Sequence, residues 1–254
     1  MTVIALLQAK NEQRFLQGWL ENVAPSVDGI VALDDGSSDA TAEILRSHPK
    51  TLEVLSNPPS QPWNECRNQM ALIHAGRRHG ATWFLCIDAD HRLEQAFAAR
   101  VKDMLCEADR DNIEIYSFQL RELWGDRHHY RSDGAWNIEA RFILFRNNPT
   151  HRRFDPRPFH RYWFPFEIGA NIKTCGRHSE LNLYHLRLIA RADRQTRFER
   201  WNSIDPGAVY EHKGYDVMLD EKGLELTAIP PERDFLPRND PAILPRDIEL
   251  AASR

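Results

Sequence analysis

Short apolar runs alternate with amphipathic segments along the first half of the chain, and this alternation restricts the fold more than any other feature of the sequence. A short apolar run suits a buried strand, whereas apolar residues spaced three and four apart suit a helix packed on it. Strands joined by helices favour a mostly parallel sheet with helices on both faces. The predicted strands are 2–7, 29–33, 52–55, 82–87, 113–120, 141–145 and 181–188. The predicted helices are 12–23, 40–46, 63–79, 95–108 and a basic helix at 190–201.

Acidic residues follow two of the predicted strands. Asp34 and Asp35 follow the second strand, and Asp88 and Asp90 follow the fourth. In an open parallel sheet, ligands bind outside the carboxyl ends of the strands, so both clusters are expected to face one crevice. Carboxylates two residues apart on an extended segment repel each other unless a cation or hydrogen bonds compensate. The pattern therefore favours Mg²⁺ or Mn²⁺ bound together with substrate phosphates.

The composition excludes several classes of function. The chain has 254 residues and a net charge of −4, which argues against a general nucleic-acid binder. No apolar run approaches the roughly 20 residues of a membrane helix. We therefore expect no integral membrane segment. We expect the protein in the cytoplasm, either free or attached peripherally to the inner membrane face. The four cysteines form no C-x-x-C pair and are expected to be reduced thiols.

Charge is unevenly distributed along the chain. Residues 1–120 carry a net charge of −6, whereas residues 141–200 carry +8. This contrast suggests that one region holds a cation and another faces an anion, although a solvated basic surface would give the same count. The sequence also has no G-x-G-x-x-G, G-x-x-x-x-G-K-[ST] or G-x-S-x-G motif. Bound phosphates would therefore be held mainly by a metal and by basic side chains.

Four segments together resemble family 2 glycosyltransferases of the GT-A fold, and the resemblance covers roughly the first 95 residues. They are 3–7 with Lys10-Asn11-Glu12, the 30–41 segment with its D-D-G-S-S-D turn, Arg67-Asn68, and the 84–90 segment ending in a D-x-D motif. The resemblance implies a hexosyltransferase-like enzyme with a GT-A, Rossmann-like α/β fold. Its mostly parallel sheet would be flanked by helices and followed by an irregular C-terminal extension.

The resemblance also implies how the nucleotide is held. Asp35 would contact the base, and Asp34 would form the neighbouring wall of the pocket. Glu12 would lie near the ribose or the base, and Arg67 would help to hold the nucleotide. We expect uracil or thymine rather than a purine, because a carboxylate at position 35 can accept the pyrimidine N3–H.

The same resemblance implies a metal site for Mn²⁺ or Mg²⁺. Asp90 would bind the metal on the donor diphosphate, and Asp88 would touch ribose or sugar hydroxyls and is a second candidate metal ligand. His91 departs from the acidic residue that related sequences often carry at this position. His185 is the best match to the late histidine that completes the metal site in many GT-A enzymes, and a structural histidine is the alternative. His160 is the reserve candidate.

Transfer with inversion needs a general base, usually a carboxylate, to take the proton of the acceptor hydroxyl. Glu139 and Asp133 are the candidate catalytic residues, and Glu167 competes with them. An ion pair of Glu139 with Arg141 or Arg121 is at least as plausible as catalysis. The arginines that could stabilise the leaving nucleoside diphosphate are Arg141, Arg187, Arg191 and Arg194.

We expect a GT-A domain over residues 1–190, with a nucleotide-binding half of about 1–95 and an acceptor-side half of about 96–190. Residues 191–254 would form a helix and a Pro-rich extension that wraps the surface or is mobile, and 149–165 has the composition of a lid. The predicted reaction is metal-dependent transfer of a sugar from a nucleotide-sugar, most simply a UDP-sugar, to a glycan, lipid-linked or small-molecule acceptor. A nucleotidyltransferase acting on a sugar phosphate and a non-catalytic nucleotide-sugar-binding module remain the alternatives.

Overall fold

The computed structural model describes residues 1–209 and 214–243, and it has the α/β architecture expected from the sequence. The strands are β1 (Val3–Ala9), β2 (Gly29–Asp34), β3 (Thr51–Ser56), β4 (Trp83–Cys86), β5 (His91–Leu93), β6 (Ile115–Glu122), β7 (His129–Arg131), β8 (Ala140–Arg146), β9 (Gly176–His185) and β10 (Leu226–Ala228). The helices are α1 (Gln13–Val23), α2 (Thr41–Ser47), α3 (Glu65–Arg78), α4 (Phe97–Asp111), α5 (Phe166–Ala170), α6 (Ile172–Cys175) and α7 (Arg191–Ile204).

Eight of the strands form one sheet in the order β3-β2-β1-β4-β8-β6-β9-β5. The first four strands in this order are parallel to one another, as predicted. β8 is antiparallel to both β4 and β6, β9 is parallel to β6, and β5 is antiparallel to β9. β7 and β10 form a separate antiparallel pair. The sheet is therefore parallel in its N-terminal half and mixed beyond it.

Burial explains why the N-terminal half could be predicted. β2 and β4 are buried along their whole length, and β1 at all but one residue, which is typical of parallel strands covered on both faces. The residues of α1 that face the sheet have helical spacing and are Phe15, Leu16, Trp19, Leu20 and Val23. α3 begins after Asn64, whose side chain accepts a hydrogen bond of 2.8 Å from the Arg67 amide.

The structure adds one strand to the predicted sheet, and several boundaries differ from the predictions. No local pattern predicts β5, which has three residues and is stabilised by pairing with the distant strand β9. Because β5 follows the D-x-D motif, α4 begins at Phe97 rather than at residue 95, and it continues to Asp111. β9 ends at His185 rather than at Leu188.

The C-terminal extension wraps the body of the protein as far as the structure describes it. Phe235 is fully buried, and Asp240 and Ala242 are also buried. Residues 244–254, including the predicted extended segment around Pro245, lie outside the described residues. The division of the chain near residue 190 stays a prediction.

Candidate active site

The carboxyl ends of the parallel strands place the acidic residues along one edge of the sheet. Ala9 at the end of β1 is paired with Asp34 at the end of β2, and Leu6 of β1 is paired with Cys86 at the end of β4. β9 reaches the same edge, because its last residue, His185, is paired with His91 of β5. The acidic residues that follow β2 and β4 therefore share this edge with His185.

Three of these side chains form a group that could hold a metal ion. The potential ligand atoms of Asp90, His91 and His185 all lie within 4.8 Å of one another. His185 Nε2 lies 3.3 Å from Asp90 Oδ2, and His91 Nδ1 lies 3.4 Å from Asp90 Oδ1. The two imidazole rings are stacked with their centroids 4.6 Å apart. A carboxylate oxygen and imidazole nitrogens suit a divalent transition metal such as Mn²⁺, which binds histidine in its neutral form and displaces any proton from the ligating nitrogen.

A second carboxylate orients His185 from the side opposite Asp90. Glu122 Oε2, at the end of β6, lies 2.5 Å from His185 Nδ1, and both side chains are almost completely buried. Burial alone would lower the pKa of His185, but Glu122 and Asp90 together raise it to about 9. Burial beside His185 holds the pKa of His91 well below its usual value, so His91 is neutral at pH 7.

Arg187 connects the carboxylates of two loops. Its Nε donates to Asp90 Oδ2 at 2.6 Å, and its Nη2 pairs with Glu12. Burial opposes ionisation of Asp90, but Arg187 and His185 outweigh it and hold the pKa of Asp90 well below its usual range. Burial raises the pKa of Glu12 to about 7, with Arg187 opposing the rise. Arg187 therefore keeps Glu12 and Asp90 at one site.

Asp88 has a different environment from Asp90. Its side chain is 63% exposed and its Oδ2 lies 3.7 Å from His91 Nδ1, whereas the Asp90 side chain is only 6% exposed. The D-x-D motif therefore places Asp90 inside the site and Asp88 at its rim, where a bound ligand can reach it.

A carboxylate at the end of β2 has one oxygen available for a ligand. Asp35 is 1% exposed, and its Oδ1 accepts hydrogen bonds from the side-chain amides of Asn57 and of Asn68, the latter at 3.2 Å. Its Oδ2 is buried and makes no hydrogen bond with any residue that the structure describes. Since a buried carboxylate oxygen without a donor is costly, Oδ2 is the place where an N–H group of a ligand would be stabilised.

The other predicted nucleotide residues lie around Asp35. Asp34 is buried, and its Oδ1 accepts a hydrogen bond of 3.1 Å from the Ser37 amide, so it shapes the 34–41 loop. Arg67 is exposed on the first turn of α3, where it donates to the Pro62 carbonyl at 2.8 Å and approaches Asn68. Its guanidinium is therefore held next to the residue that binds Asp35.

Arginine side chains of helix α7 lie next to the metal group. A cavity of about 80 Å³ is lined by Arg187, Asp193, Thr196, Arg197, Arg200 and Trp201. Arg197 Nη1 lies 3.5 Å from Asp90 Oδ2, and Arg200 lies 5.4 Å from the centre of the Trp63 ring. The cavity can therefore accept an anionic group beside the metal group.

The arginines named from the sequence have different places. Only Arg187 reaches the metal group. Arg191 and Arg194 both pair with Glu221, and Arg194 is buried. Arg141 pairs with Glu139 at 2.8 Å. Its positive charge favours the ionised form of Asp88 and the neutral form of His91.

The candidate general bases differ in how firmly hydrogen bonds and ion pairs hold their carboxylates. Asp133 accepts two hydrogen bonds from Arg131, at 2.8 and 2.9 Å, and one from the Glu225 amide, and the Arg131 hydrogen bonds lower its pKa. Glu139 is partly exposed, and in the ion pairs of the described residues its only partner is Arg141, whose side chain is 54% exposed. Glu167 pairs with Arg153 at 3.2 Å.

His160, the reserve metal ligand, lies outside the metal group of the described residues. Its Nε2 is 3.0 Å from the Tyr215 hydroxyl, and its ring packs against Trp201 with centroids 4.6 Å apart. The candidate group Asp90, His91 and His185 does not include it. His160 therefore packs its own segment, 149–165, against Trp201 of α7, and its reserve role at the metal stays a prediction.

Sequence reasoning missed several residues of the site. His91 was taken only as a departure from an acidic residue, and Glu122, Asn57, Arg197 and Arg200 were not considered. Helical spacing from Arg194 to Arg197 and Arg200 was the available signal for the last two. The other three are brought to the site by pairing between distant strands and loops, for which the local sequence has no signal.

No helix within residues 1–209 and 214–243 has both the length and the apolar character that crossing a membrane requires.

Comparison with solved structures gives similar folds at low identity. S. aureus TarS 1–349 is 14% identical with a TM-score of 0.48, over 87% of this chain and 70% of that chain. Glucosyl-3-phosphoglycerate synthase from Mycobacterium tuberculosis, in complex with Mn²⁺, UDP and glucosyl-3-phosphoglycerate, is 14% identical with a TM-score of 0.46, over 79% of each chain. Because both scores are below 0.5, the assignment of the family rests on the sequence matches.

Two sequence matches bear on the family. An uncharacterized protein of Mycobacterium tuberculosis and one of Mycobacterium bovis are each 33% identical over 216 residues, which cover 81% of this chain and 51% of the relative. The chain thus spans about half the length of the curated relatives it matches. Residues 5–167, more than half of the chain, match the family described as Glycosyl transferase family 2. Together with the strand order and the acidic loops at the ends of β2 and β4, this match shows that the chain belongs to glycosyl transferase family 2.

Proposed function

We propose that the chain is a metal-dependent glycosyltransferase that moves a sugar from a UDP-sugar to an acceptor hydroxyl, in the synthesis of cell-surface glycans or glycoconjugates. The observation that carries the proposal is the meeting of Asp90, His91 and His185 with an arginine-lined cavity at the end of the parallel strands. A ligand with a diphosphate between a base and a sugar matches this arrangement of a cation site and fixed positive charge.

Asp90, His91 and His185 would hold Mn²⁺ or Mg²⁺, and Asp88 at the rim would contact the metal or the hydroxyls of the donor. The fit is supported by the ligand atoms within 4.8 Å of one another and by the neutral state of His91. Glu122 orients the His185 ring, as carboxylates commonly do for metal-bound histidines. A bound cation would offset the negative charge of the diphosphate as it leaves the sugar.

Arg197 and Arg200 would bind the diphosphate oxygens from the side of α7. Arg197 already lies near Asp90, and Arg200 forms no ion pair with the described residues, so its charge is available to an anion. Guanidinium groups form paired hydrogen bonds with phosphate oxygens, which stabilises a leaving nucleoside diphosphate.

Asp35 would read the base through its buried Oδ2, and Asn57 and Asn68 hold the carboxylate in place. Uracil and thymine present an N3–H donor that matches this acceptor. Asp34 would shape the wall of this pocket, Glu12 would lie towards the ribose, and Arg67 would contact the nucleotide from α3.

Glu139 is the general base that we propose for the acceptor hydroxyl, ahead of Asp133. Its only ion-pair partner in the described chain is Arg141, and both side chains are partly exposed, so that pair can open at low cost. Asp133 is held by Arg131 and its pKa is lowered, which weakens it as a base.

A cytoplasmic location of the protein is proposed because all four cysteines are unpaired.

The proposal is tested by incubating the protein with UDP-glucose, UDP-galactose and UDP-N-acetylglucosamine, with Mn²⁺ or with EDTA, and measuring release of UDP. We expect release that depends on Mn²⁺ with at least one donor, and its loss in Asp90→Asn. Asp109→Asn is the matched control, because Asp109 pairs with Arg146 on the surface and is 51% exposed.

Other outcomes select the alternatives. Release of pyrophosphate from UTP and a sugar phosphate, without UDP release from any donor, would identify a nucleotidyltransferase. Binding of UDP without any turnover would identify a nucleotide-sugar-binding module.

A further inference from the structure

The last described part of the chain lies behind the metal group. We call residues 234–243 the C-terminal strap. Phe235 of the strap is fully buried between Tyr184 and the Arg127 guanidinium, with the Phe235 ring 5.1 Å from the Tyr184 ring and 4.4 Å from the guanidinium carbon. The Leu236 carbonyl accepts a hydrogen bond of 2.8 Å from Asn22, which also binds the backbone of Leu93 in β5. The strap is therefore packed into the body next to the strand that follows the D-x-D motif.

One buried ion pair connects the strap to residues 88–92, which carry Asp90 and His91 and which we call the metal loop. Arg92 Nε donates to Asp240 Oδ2 at 2.6 Å, its Nη2 donates to Asp240 Oδ1 at 3.3 Å, and both side chains are 0% exposed. The remaining guanidinium nitrogen, Nη1, donates to the carbonyls of Ala89 and His91, at 2.9 and 2.8 Å. These two carbonyls belong to the residues on either side of Asp90, and their peptide groups lie before Asp90 and after His91.

The ion pair packs directly against α1. Arg92 Nη2 also donates to the Phe15 carbonyl at 2.9 Å. A Cβ atom on Gly18 would lie 2.5 Å from both carboxylate oxygens of Asp240 and 2.7 Å from Arg92 Nη2. Any side chain at position 18 would have to displace this buried ion pair, so the helix, the arginine and the strap are closely packed.

We propose that Asp240 is a positioning residue of the metal site, which acts through Arg92 on the backbone around Asp90. Asp240 neutralises and orients the Arg92 guanidinium, and Arg92 fixes the two peptide groups that set the directions of the Asp90 and His91 side chains. This inference rests on the proposed function, because it takes Asp90 and His91 as metal ligands. Groups that orient metal ligands commonly change metal affinity by tenfold to a hundredfold when removed.

A purely structural role of the ion pair would also lower stability, so the test needs a control that separates the two. Arg127 and Asp234 provide it: they form a second ion pair between the strap and the body, at 2.8 Å, with side chains only 9% and 11% exposed. Arg127 otherwise donates to carbonyls of the strap itself, those of Phe235, Pro237 and Arg238, and not to the metal loop. Asp234→Asn is therefore the matched control for Asp240→Asn.

Binding of UDP is measured by calorimetry with Mn²⁺ and with EDTA, and the ratio of the two affinities reports the metal site. We expect Asp240→Asn to reduce this ratio by about tenfold or more, with UDP affinity in EDTA unchanged. Asp234→Asn should lower the urea midpoint and leave the ratio as in the wild type.

The double variant Arg92→Met with Asp240→Leu keeps the test decisive if Asp240→Asn fails to fold. It removes both buried charges, which commonly restores stability, but it also removes the donors to Ala89 and His91. A reduced ratio in this stable variant supports the proposal. A wild-type ratio in it, or an equal loss in Asp234→Asn, overturns the proposal. A wild-type protein whose UDP affinity does not depend on Mn²⁺ would instead refute the proposed metal site.

Discussion

Exchange of Asp35 for asparagine should change which pyrimidine the protein prefers. Oδ1 of Asp35 accepts from the amides of Asn57 and Asn68, and Oδ2 is buried without a donor in the described part of the chain. In Asp35→Asn, the remaining oxygen continues to serve Asn57 and Asn68, so the new NH₂ group takes the place of Oδ2. The N3–H donor of uracil would then face another donor, whereas the N3 acceptor of cytosine would gain a hydrogen bond from the new NH₂ group.

The size of the effect follows from the charged hydrogen bond that is lost. A hydrogen bond to a charged group contributes about 1.5–3 kcal/mol, which corresponds to roughly tenfold to a hundredfold in affinity. We expect UDP binding to weaken by about this factor in Asp35→Asn, while CDP binding stays constant or improves. Calorimetry in EDTA measures both without a contribution from the metal.

Asp34→Asn is the control for this exchange, because Asp34 binds the Ser37 amide of its own loop. It should leave the ratio of UDP affinity to CDP affinity as in the wild type. An Asp35→Asn protein with the wild-type ratio would refute the placement of the base against Asp35.

Three further results are expected. Glu122→Gln should reduce the Mn²⁺-dependent gain in UDP affinity about tenfold, because its carboxylate orients His185; equal affinities in calorimetry would show that the ring is held by other contacts. Glu139→Gln should lower kcat in the UDP-release assay by about a hundredfold with little change in UDP affinity, and full activity would move the base to Asp133. Burial beside Asp88 raises the pKa of Glu65 from 4.5 to about 7, so the folded state favours protonated Glu65. The stability that protonated Glu65 provides is complete below pH 4.5 and is lost as the pH rises to 7. Urea unfolding should therefore show Glu65→Gln gaining about 1–3 kcal/mol relative to the wild type between pH 5 and pH 8, and a constant difference would contradict the raised pKa.

The N-terminal half of the fold could be predicted because its signals are local. The buried parallel strands are continuous apolar runs, and the acidic residues stand directly after two of them. The placing of Asp35, Asp88 and Asp90 at one edge then follows from the geometry of parallel strands, without any knowledge of side-chain contacts.

The second half of the site depends on contacts between distant segments, which no local pattern encodes. His91 reaches His185 because β5 and β9 pair in a register that aligns these two residues. The basic helix was predicted, but its low amphipathicity did not indicate that Arg197 and Arg200 face the metal group. Asp133 and Glu139 could not be ranked from the sequence, since each lies two residues from an arginine and only the structure shows how firmly each ion pair is held.

The C-terminal strap has a consequence for the order of folding. Arg92 and Asp240 are 148 residues apart, and Asn22 and the Leu236 carbonyl are 214 apart, so these contacts close very long loops. Long-range contacts form late, because their loop-closure entropy is lost before the contact can stabilise the chain. During synthesis, the nucleotide pocket that we propose around Asp35 can assemble long before Asp240 is available. We expect refolding protein to regain UDP binding in EDTA before it regains the additional affinity that Mn²⁺ provides, and stopped-flow measurements of both can resolve this order.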